Sequence, residues 1–303
     1  MPRSSVRGSV AVVLLTYNEE LNLPHALASV TGWADEVFVL DSLSTDATVR
    51  IAKDTGAIVV EHAFEDYAKQ RNFALDRLPI TSEWILFLDA DEWLPDQIKQ
   101  EISRVIESDP VQNGFFLNRR FIWMGAWIRR GYYPSWILRL FRRGKGRCED
   151  RAVNEHMIVE GATGHIASDF IHEDRKGVDA WIAKHNGYAT REALELLREP
   201  LATDRHAVEP RLFGPQAARK RWLRERIWNR MPPLVRPFFF FVYRYILRGG
   251  FLDGKAGFTF HFLQALWYPL LIDIKYLEFR KQLPDTHATH ASVLESEIAK
   301  RQA

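Results

Sequence analysis

Asp89-Ala-Asp91 closes the apolar run Trp84-Ile-Leu-Phe-Leu88, and alternate residues of an extended segment point the same way, so two carboxylates converge where the run ends. Paired hard oxygens suit Mg2+ or Mn2+ held in common with a diphosphate. The same acids would also serve a helix starting near Pro95, whose N-terminus favours negative charge. Asp41-Ser-Leu-Ser-Thr-Asp46 puts an acceptor carboxylate at the end of a second apolar run, with Ser44, Thr45 and Asp46 placed to start and cap the next helix. Thr16-Tyr17-Asn18-Glu19 follows a third run and offers a ring and side-chain polar groups suited to stacking on a base and hydrogen-bonding it.

These groups need a scaffold that delivers strand ends to one place. Val10 to Leu15, Val37 to Leu40, Gly56 to Val60 and Trp84 to Leu88 are short apolar runs that read as buried strands. Between them, Glu20 to Val30, Thr45 to Asp54 and Glu65 to Asp76 read as helices. Strands alternating with helices predict right-handed βαβ crossovers and an α/β fold, whose ligands bind at the C-terminal strand ends. From about Gln112 the rhythm changes to shorter aromatic and Arg-rich pieces, read as an α+β extension that closes over the sheet. After Ala180 the pattern turns helical, with Pro200 to Pro215 as an irregular or linking segment.

Composition removes several classes. The chain of 303 residues is 47% hydrophobic and 26% charged, which excludes disorder as its main state. A formal charge of +2 is too balanced for a surface-wide nucleic-acid binder, so nucleic acid is not expected as a partner. Cys148 is the single cysteine, which leaves no intramolecular disulfide or cysteine-rich zinc site and fits a reducing, cytoplasmic setting. The segment before Val10 lacks the apolar core of a secretory signal, so export is not expected. Neither a Walker-type loop nor a complete GxGxxG is present, which counts against NTPases and dinucleotide oxidoreductases.

Thr16-Tyr17-Asn18-Glu19-Glu20, Asp41 to Asp46, Gln70-Arg71-Asn72 and Leu88-Asp-Ala-Asp-Glu92, in this order and spacing, resemble the family-2 glycosyltransferases, inverting nucleotide-sugar enzymes. The subgroup most similar adds sugars to bacterial lipopolysaccharide cores or exopolysaccharide units. That likeness rests on Gly131-Tyr-Tyr-Pro134, Arg139-Leu-Phe-Arg142, Val153-Asn-Glu155 and Gly249-Gly-Phe-Leu-Asp-Gly254, besides Asp89 to Glu92. The resemblance implies a GT-A-like, Rossmann-type nucleotide-sugar domain, to which the basic, aromatic C-terminal sequence adds a helical, membrane-associated region. It divides the chain into a nucleotide-sugar half (1–110), an acceptor and base half (111–199) and the membrane-associated part (200–303). A UDP-sugar is the foremost donor and a saccharide or lipid-linked saccharide the acceptor. Thr16, Asn18 and Glu19 would line the donor site, Tyr17 would stack on the base and Asp41 would hydrogen-bond it. Asp89 would hold the ribose or the metal, Asp91 the metal on the diphosphate, and Arg71 would lie near the phosphates.

An inverting transfer needs a base to take the acceptor proton, and the resemblance places it past the metal motif. Glu149, Asp150 and Glu155 are the candidates there, with Glu155 preferred, because similar enzymes often carry a His-Glu pair after Val, and Asp150 the runner-up; Asn154 stands where that His would be. His172 is the late histidine that in similar enzymes reaches the metal or the diphosphate.

The run Arg119-Arg120, Arg129-Arg130, Arg139 and Arg142-Arg143, interleaved with Trp123, Trp127, Tyr132, Tyr133 and Trp136, suits an anionic, saccharide-bearing acceptor. From Leu201 to Pro237 nine Lys or Arg face three acids, beside Trp222, Trp228 and Phe238-Phe-Phe-Phe241, as in an interfacial helix on anionic lipid. Peripheral attachment to the inner face of the cytoplasmic membrane is the expectation. A sugar nucleotidyltransferase and a catalytically silent membrane scaffold of the same fold are the alternative readings.

Overall fold

The computed structural model describes residues 8–149, 156–197, 222–223, 226 and 228–282. The chain divides into two compact units, Met1–Gly177 and Val178–Ala303.

In the first unit β1 (Val10–Thr16), α1 (Leu23–Val30), β2 (Glu36–Asp41), α2 (Thr48–Asp54), β3 (Ile58–Glu61), α3 (Tyr67–Arg77) and β4 (Trp84–Asp89) alternate as the apolar runs predict. The four strands are parallel in the order β3-β2-β1-β4. Such a sheet is covered on both faces, and β1 shows why its run is continuous. Val10, Val12 and Leu14 join Leu23, Leu27 and Val30 of α1 in one core, while Ala11 and Val13 join Phe38, Phe87, Ala74 and Leu78 in the other. The chain passes from β1 outward to β2 and β3 and then crosses back to β4 on the other side of β1, so the winding reverses between β1 and β4 and a crevice opens at their C-terminal ends.

The helices α1 and α2 start three residues later than the sequence suggests, because local hydrogen bonds hold the preceding residues as loops. Asn22 and Leu23 both donate backbone N–H groups to the Glu19 carbonyl. Ser44 N–H donates to Asp41 Oδ2 (2.7 Å) and Thr45 N–H to Asn18 Oδ1 (2.8 Å), so α2 begins only at Thr48, where Asp46 Oδ1 accepts the Thr48 N–H.

After β4 come β5 (Glu92–Trp93), α4 (Asp96–Glu107), β6 (Gly114–Trp123), β7 (Ala126–Trp127), β8 (Trp136–Arg142), β9 (Gly146–Cys148), β10 (Met157–Val159) and β11 (Thr163–His172). The main sheet continues β4-β8-β6-β11-β5 with mixed polarity; β7 pairs with β6, and β9 with β10. In a flat sheet the four steps from β4 to β5 would separate them by about 19 Å. Yet Asp89 and Glu92 are three residues apart and can span no more than about 11 Å. The sheet therefore curls at this end and carries β11, paired with β5 through Ile171 with Trp93 and His172 with Glu92, back beside the end of β4.

In the second unit α5 (Gly177–Leu197) packs Ala189, Ala193 and Leu194 against Ile272 and Phe279 of a later helix, α8 (Tyr268–Gln282). Between them run α6 (Arg236–Phe241), a π-helical turn (Val242–Leu247), a 3-10 turn (Gly250–Asp253), α7 (Gly254–His261) and a second π-helical turn (Phe262–Trp267). The turn closes tightly at glycine: a Cβ on Gly257 would overlap the Gly250 carbonyl, and one on Gly250 would meet the His261 ring. Arg236 is buried in an ion pair with the fully buried Asp273. No described helix is long and apolar enough to cross a membrane.

Candidate active site

The loop after β1 and the loop after β2 are tied to each other. Thr16 Oγ1 donates to Asp41 Oδ1 (2.7 Å), Ser44 Oγ donates to the same oxygen (2.6 Å), and Ser44 Oγ accepts the Asn18 N–H (2.8 Å). Asn18 (φ 51°) and Leu43 (φ 64°) are held in the left-handed region by this network, at a cost that Asn tolerates better than Leu. Asp41 is fully buried, so its carboxylate organises both loops, whereas Tyr17 between them is 58% exposed and offers a ring face.

The Gln70-Arg71-Asn72 motif lies on α3, and each residue makes a different connection. Gln70 donates to Ser42 Oγ (3.1 Å) beside the β2 end, Arg71 Nη2 reaches Asp89 Oδ1 (3.3 Å), and Asn72 pairs with the backbone of Cys148 in both directions.

Asp89 and Asp91 part company. Arg139 on β8 donates to Asp89 Oδ2 and to Glu92 Oε1, both at 2.7 Å, while Glu92 Oε2 accepts the Asp89 N–H at 3.0 Å. Burial alone would raise the Asp89 pKa, but the guanidiniums of Arg139 and Arg71 hold it far below the usual carboxylate range. The curl of the sheet brings Asp91 to His172 instead. His172 Nδ1 stands 3.6 Å from Asp91 Oδ1 and 3.6 Å from Glu92 Oε1, beyond hydrogen-bond reach, with its ring stacked on Phe121 at 4.8 Å. Neither acid caps α4, which starts at Asp96 without a side-chain cap.

Asp91, Glu92 and His172 form a cluster whose ligand atoms lie within 4.8 Å of one another. Neighbouring ligands on one Mg2+ or Mn2+ ion lie about 3–4 Å apart, given bonds of about 2.1 Å, so Asp91 and His172 fit such an ion. Both Glu92 oxygens are already engaged by Arg139 and the Asp89 N–H, which makes it the support of the pair rather than a third open ligand. The buried, unbonded Nδ1 of His172 is the donor that a cation would satisfy.

Glu19 faces this cluster from the β1 loop. Burial pushes its pKa above the usual value and the charge of Asp91 adds to that, offset only in part by hydrogen bonds from Lys176 (2.6 Å) and Asn22 (2.8 Å). Lys176 also donates to the Asn18 carbonyl (3.3 Å), and the Asn22 side chain bonds Asp174 and the Arg175 N–H, so the segment after β11 straps the β1 loop to His172. Sequence reading passed over Lys176, which sits in a mixed-charge stretch without a motif. It also placed Arg139 in the run suited to an anionic acceptor, although a single cation inside Trp136-Ile-Leu-Arg-Leu-Phe is a signal for buried acids nearby.

The arginine run divides in two. Arg139, Arg142 and Arg143 are built into the fold, Arg142 through Glu83 and Asp109 and Arg143 through the Ser82 carbonyl. Arg120 and Arg129 lie over Trp127 at 4.3 and 4.6 Å and Arg119 over Tyr132 at 5.4 Å, a cationic and aromatic patch in which Arg120 also donates to the buried Asp169 carboxylate (3.2 and 3.3 Å). Asp150 and Glu155 lie outside the described residues, as do Arg219, Lys220, Arg221 and Arg224. Glu149 is fully buried and accepts from His156, N–H and Nδ1 both at 3.1 Å.

Residues 11–157 match the family model described as Glycosyl transferase family 2, which takes in strands β1 to β9 and the acidic loop; β11 with His172, and Lys176, lie beyond the match. The uncharacterized glycosyltransferase RT0209 of Rickettsia typhi is 37% identical over 99 residues, 33% of this chain and 33% of that protein. The SPbeta prophage-derived glycosyltransferase SunS of Bacillus subtilis is 36% identical over 94 residues, 30% of this chain and 22% of that protein. The chain thus matches about a third or less of the length of these relatives. Among solved structures, glucosyl-3-phosphoglycerate synthase from Mycobacterium tuberculosis, in complex with Mn2+, uridine diphosphate and glucosyl-3-phosphoglycerate, aligns at 21% identity over 37% of this chain and 44% of that one, with a TM-score of 0.32.

Proposed function

We propose that this chain is a family-2 glycosyltransferase of GT-A-like fold that moves a sugar, with inversion, from a nucleoside-diphosphate donor to a lipid-linked or lipopolysaccharide-type saccharide at the inner face of the cytoplasmic membrane. The observation that carries the reading is the Asp91 and His172 pair beside the C-terminal ends of β1 and β4, inside and just beyond the stretch that matches the family.

The donor base would stack on exposed Tyr17, with the loops of Asn18 and Asp41 fixing its edge. Arg71 would contribute positive charge near the diphosphate. Asp91 and His172 would hold a divalent cation, which when bound supplies charge to the departing diphosphate. The acceptor hydroxyl oxygen attacks the anomeric carbon as the bond from that carbon to the diphosphate oxygen breaks, and the hydroxyl proton passes to Glu155, or to Asp150 if the roles are reversed. The patch of Arg119, Arg120, Arg129 and Trp127 would take an anionic, saccharide-bearing acceptor.

Incubation with UDP-, GDP- and dTDP-sugars, in the presence of Mg2+ or Mn2+, should release a nucleoside diphosphate, with the UDP-sugar the foremost candidate donor. Pyrophosphate would instead identify a nucleotidyltransferase, and no turnover of any donor a silent scaffold. Within the transferase reading, Glu155→Gln should lower turnover about 10²-fold while leaving donor-induced thermal protection intact. If Asp150→Asn has that effect and Glu155→Gln does not, Asp150 is the base.

A further inference from the structure

The apolar residues of the second unit are not distributed as the Phe238–Phe241 run suggests. Phe240 packs on Trp228 at 5.6 Å and Phe241 stacks on Tyr245 at 5.1 Å, so half of that run is spent inside the unit. What faces outward instead is a series with helical spacing: Phe238 (53% exposed), Phe239 (60%), Val242, Tyr243, Ile246 and Leu247 (73%). The glycine turn continues it with Phe251 and Leu252 (62%), and α7 with Phe258. An exposed apolar face of this extent on a hairpin needs a partner.

The charge around it says which. Among the described residues from Arg226 to Phe262 there are six Lys or Arg against one acid, Asp253. Arg236 and Arg244 are buried and serve the fold, but Arg230, Arg248 and Lys255 are exposed, the last two flanking the apolar turn. A second copy of the same face would bring like charges together, whereas an anionic lipid surface complements both the cations and the apolar side chains. The two helical pieces Arg236–Phe241 and Val242–Leu247 have 6 residues each, about 18 Å in all, too short for a bilayer core of about 30 Å.

We propose that the hairpin from Phe238 to Phe258 lies in the head-group and acyl boundary of an anionic bilayer, with Phe239, Leu247, Phe251 and Leu252 as the inserted side chains and Arg248 and Lys255 on the head groups. This deepens the membrane placement proposed above.

Co-sedimentation of the full chain with vesicles of phosphatidylcholine, with and without phosphatidylglycerol, tests it. The wild type should pellet with the anionic vesicles and keep a bound remnant at about 0.5 M salt, where charge alone is screened within a few ångströms. Phe239→Glu with Leu247→Glu and Leu252→Glu should lower the bound fraction at least tenfold at an unchanged melting temperature, since all three side chains are more than half exposed. Arg248→Gln with Lys255→Gln should weaken binding to anionic vesicles alone. Equal pelleting of the triple variant and the wild type overturns the proposal, as does complete release of the wild type by salt. A wild-type dimer that the triple variant turns into a monomer, without vesicle binding by either, would give the face to a second copy and overturn it as well. Nucleoside diphosphate release without vesicles separates the two readings: its absence refutes the transferase while the lipid face stands or falls on sedimentation.

Discussion

Asp91→Asn is expected to retain the fold and lose metal-dependent turnover by about 10³-fold. The side chain lies in the loop between β4 and β5, outside both hydrophobic cores, so the amide changes neither core packing nor the Arg139 clamp, which holds Asp89 and Glu92. What it removes is one of two anionic or imidazole ligands placed across the curl from each other. Charge neutralisation by a bound cation is worth several kcal/mol to a departing diphosphate, and each 1.36 kcal/mol is a factor of ten. The measurement is donor hydrolysis as a function of Mn2+ concentration, together with near-ultraviolet circular dichroism. Wild-type turnover by the variant would take Asp91 out of the metal site. The same titration on His172→Ala, with its stacking partner Phe121 left in place, would report whether the imidazole is the second ligand.

Arg139→Ala should cost about 3–5 kcal/mol of stability, the range for removing one partner of a buried charge pair. The arginine side chain is 6% exposed and Glu92 is fully buried, so truncation leaves a carboxylate in the interior with its neighbour Asp89 also negative. Arg71 remains on Asp89. Urea unfolding gives the number, and a loss below about 1 kcal/mol would mean that water compensates these acids. Arg139→Met with Glu92→Gln should recover most of the loss, because the buried charges of that pair then go together. A metal titration on the same proteins should show weaker binding in the single variant, since Glu92 forms the base on which Asp91 and His172 are set.

The parallel half of the sheet was legible because its strands are buried on both faces and write themselves as unbroken apolar runs, and because Asp41, Asp89 and Asp91 stand at their ends. The second half was less so. β6, β8 and β11 pair with strands far away in sequence, and no local pattern says that His172 will sit opposite Glu92. Asp89 and Asp91 are equivalent by alternation, yet Asp89 is claimed by Arg139 and Arg71, residues 50 and 18 positions away from it, while Asp91 stands beside His172. The helix starts were misplaced for a related reason: Asn18, Ser44 and Asp41 bond each other across two loops and override the local tendency of Ser44 and Thr45 to begin a helix.

The curl between β4 and β5 has a thermodynamic side. Bringing Asp91 and His172 together closes a segment of roughly 80 residues, which for a flexible chain costs about 4 kcal/mol in configurational freedom. Folding meets that cost through the pairing of β6 with β11 and of β11 with β5, before any ion or diphosphate arrives. Under the proposed function a cation would find its ligands already assembled, and its binding energy would be free to act on the leaving group instead of gathering the chain.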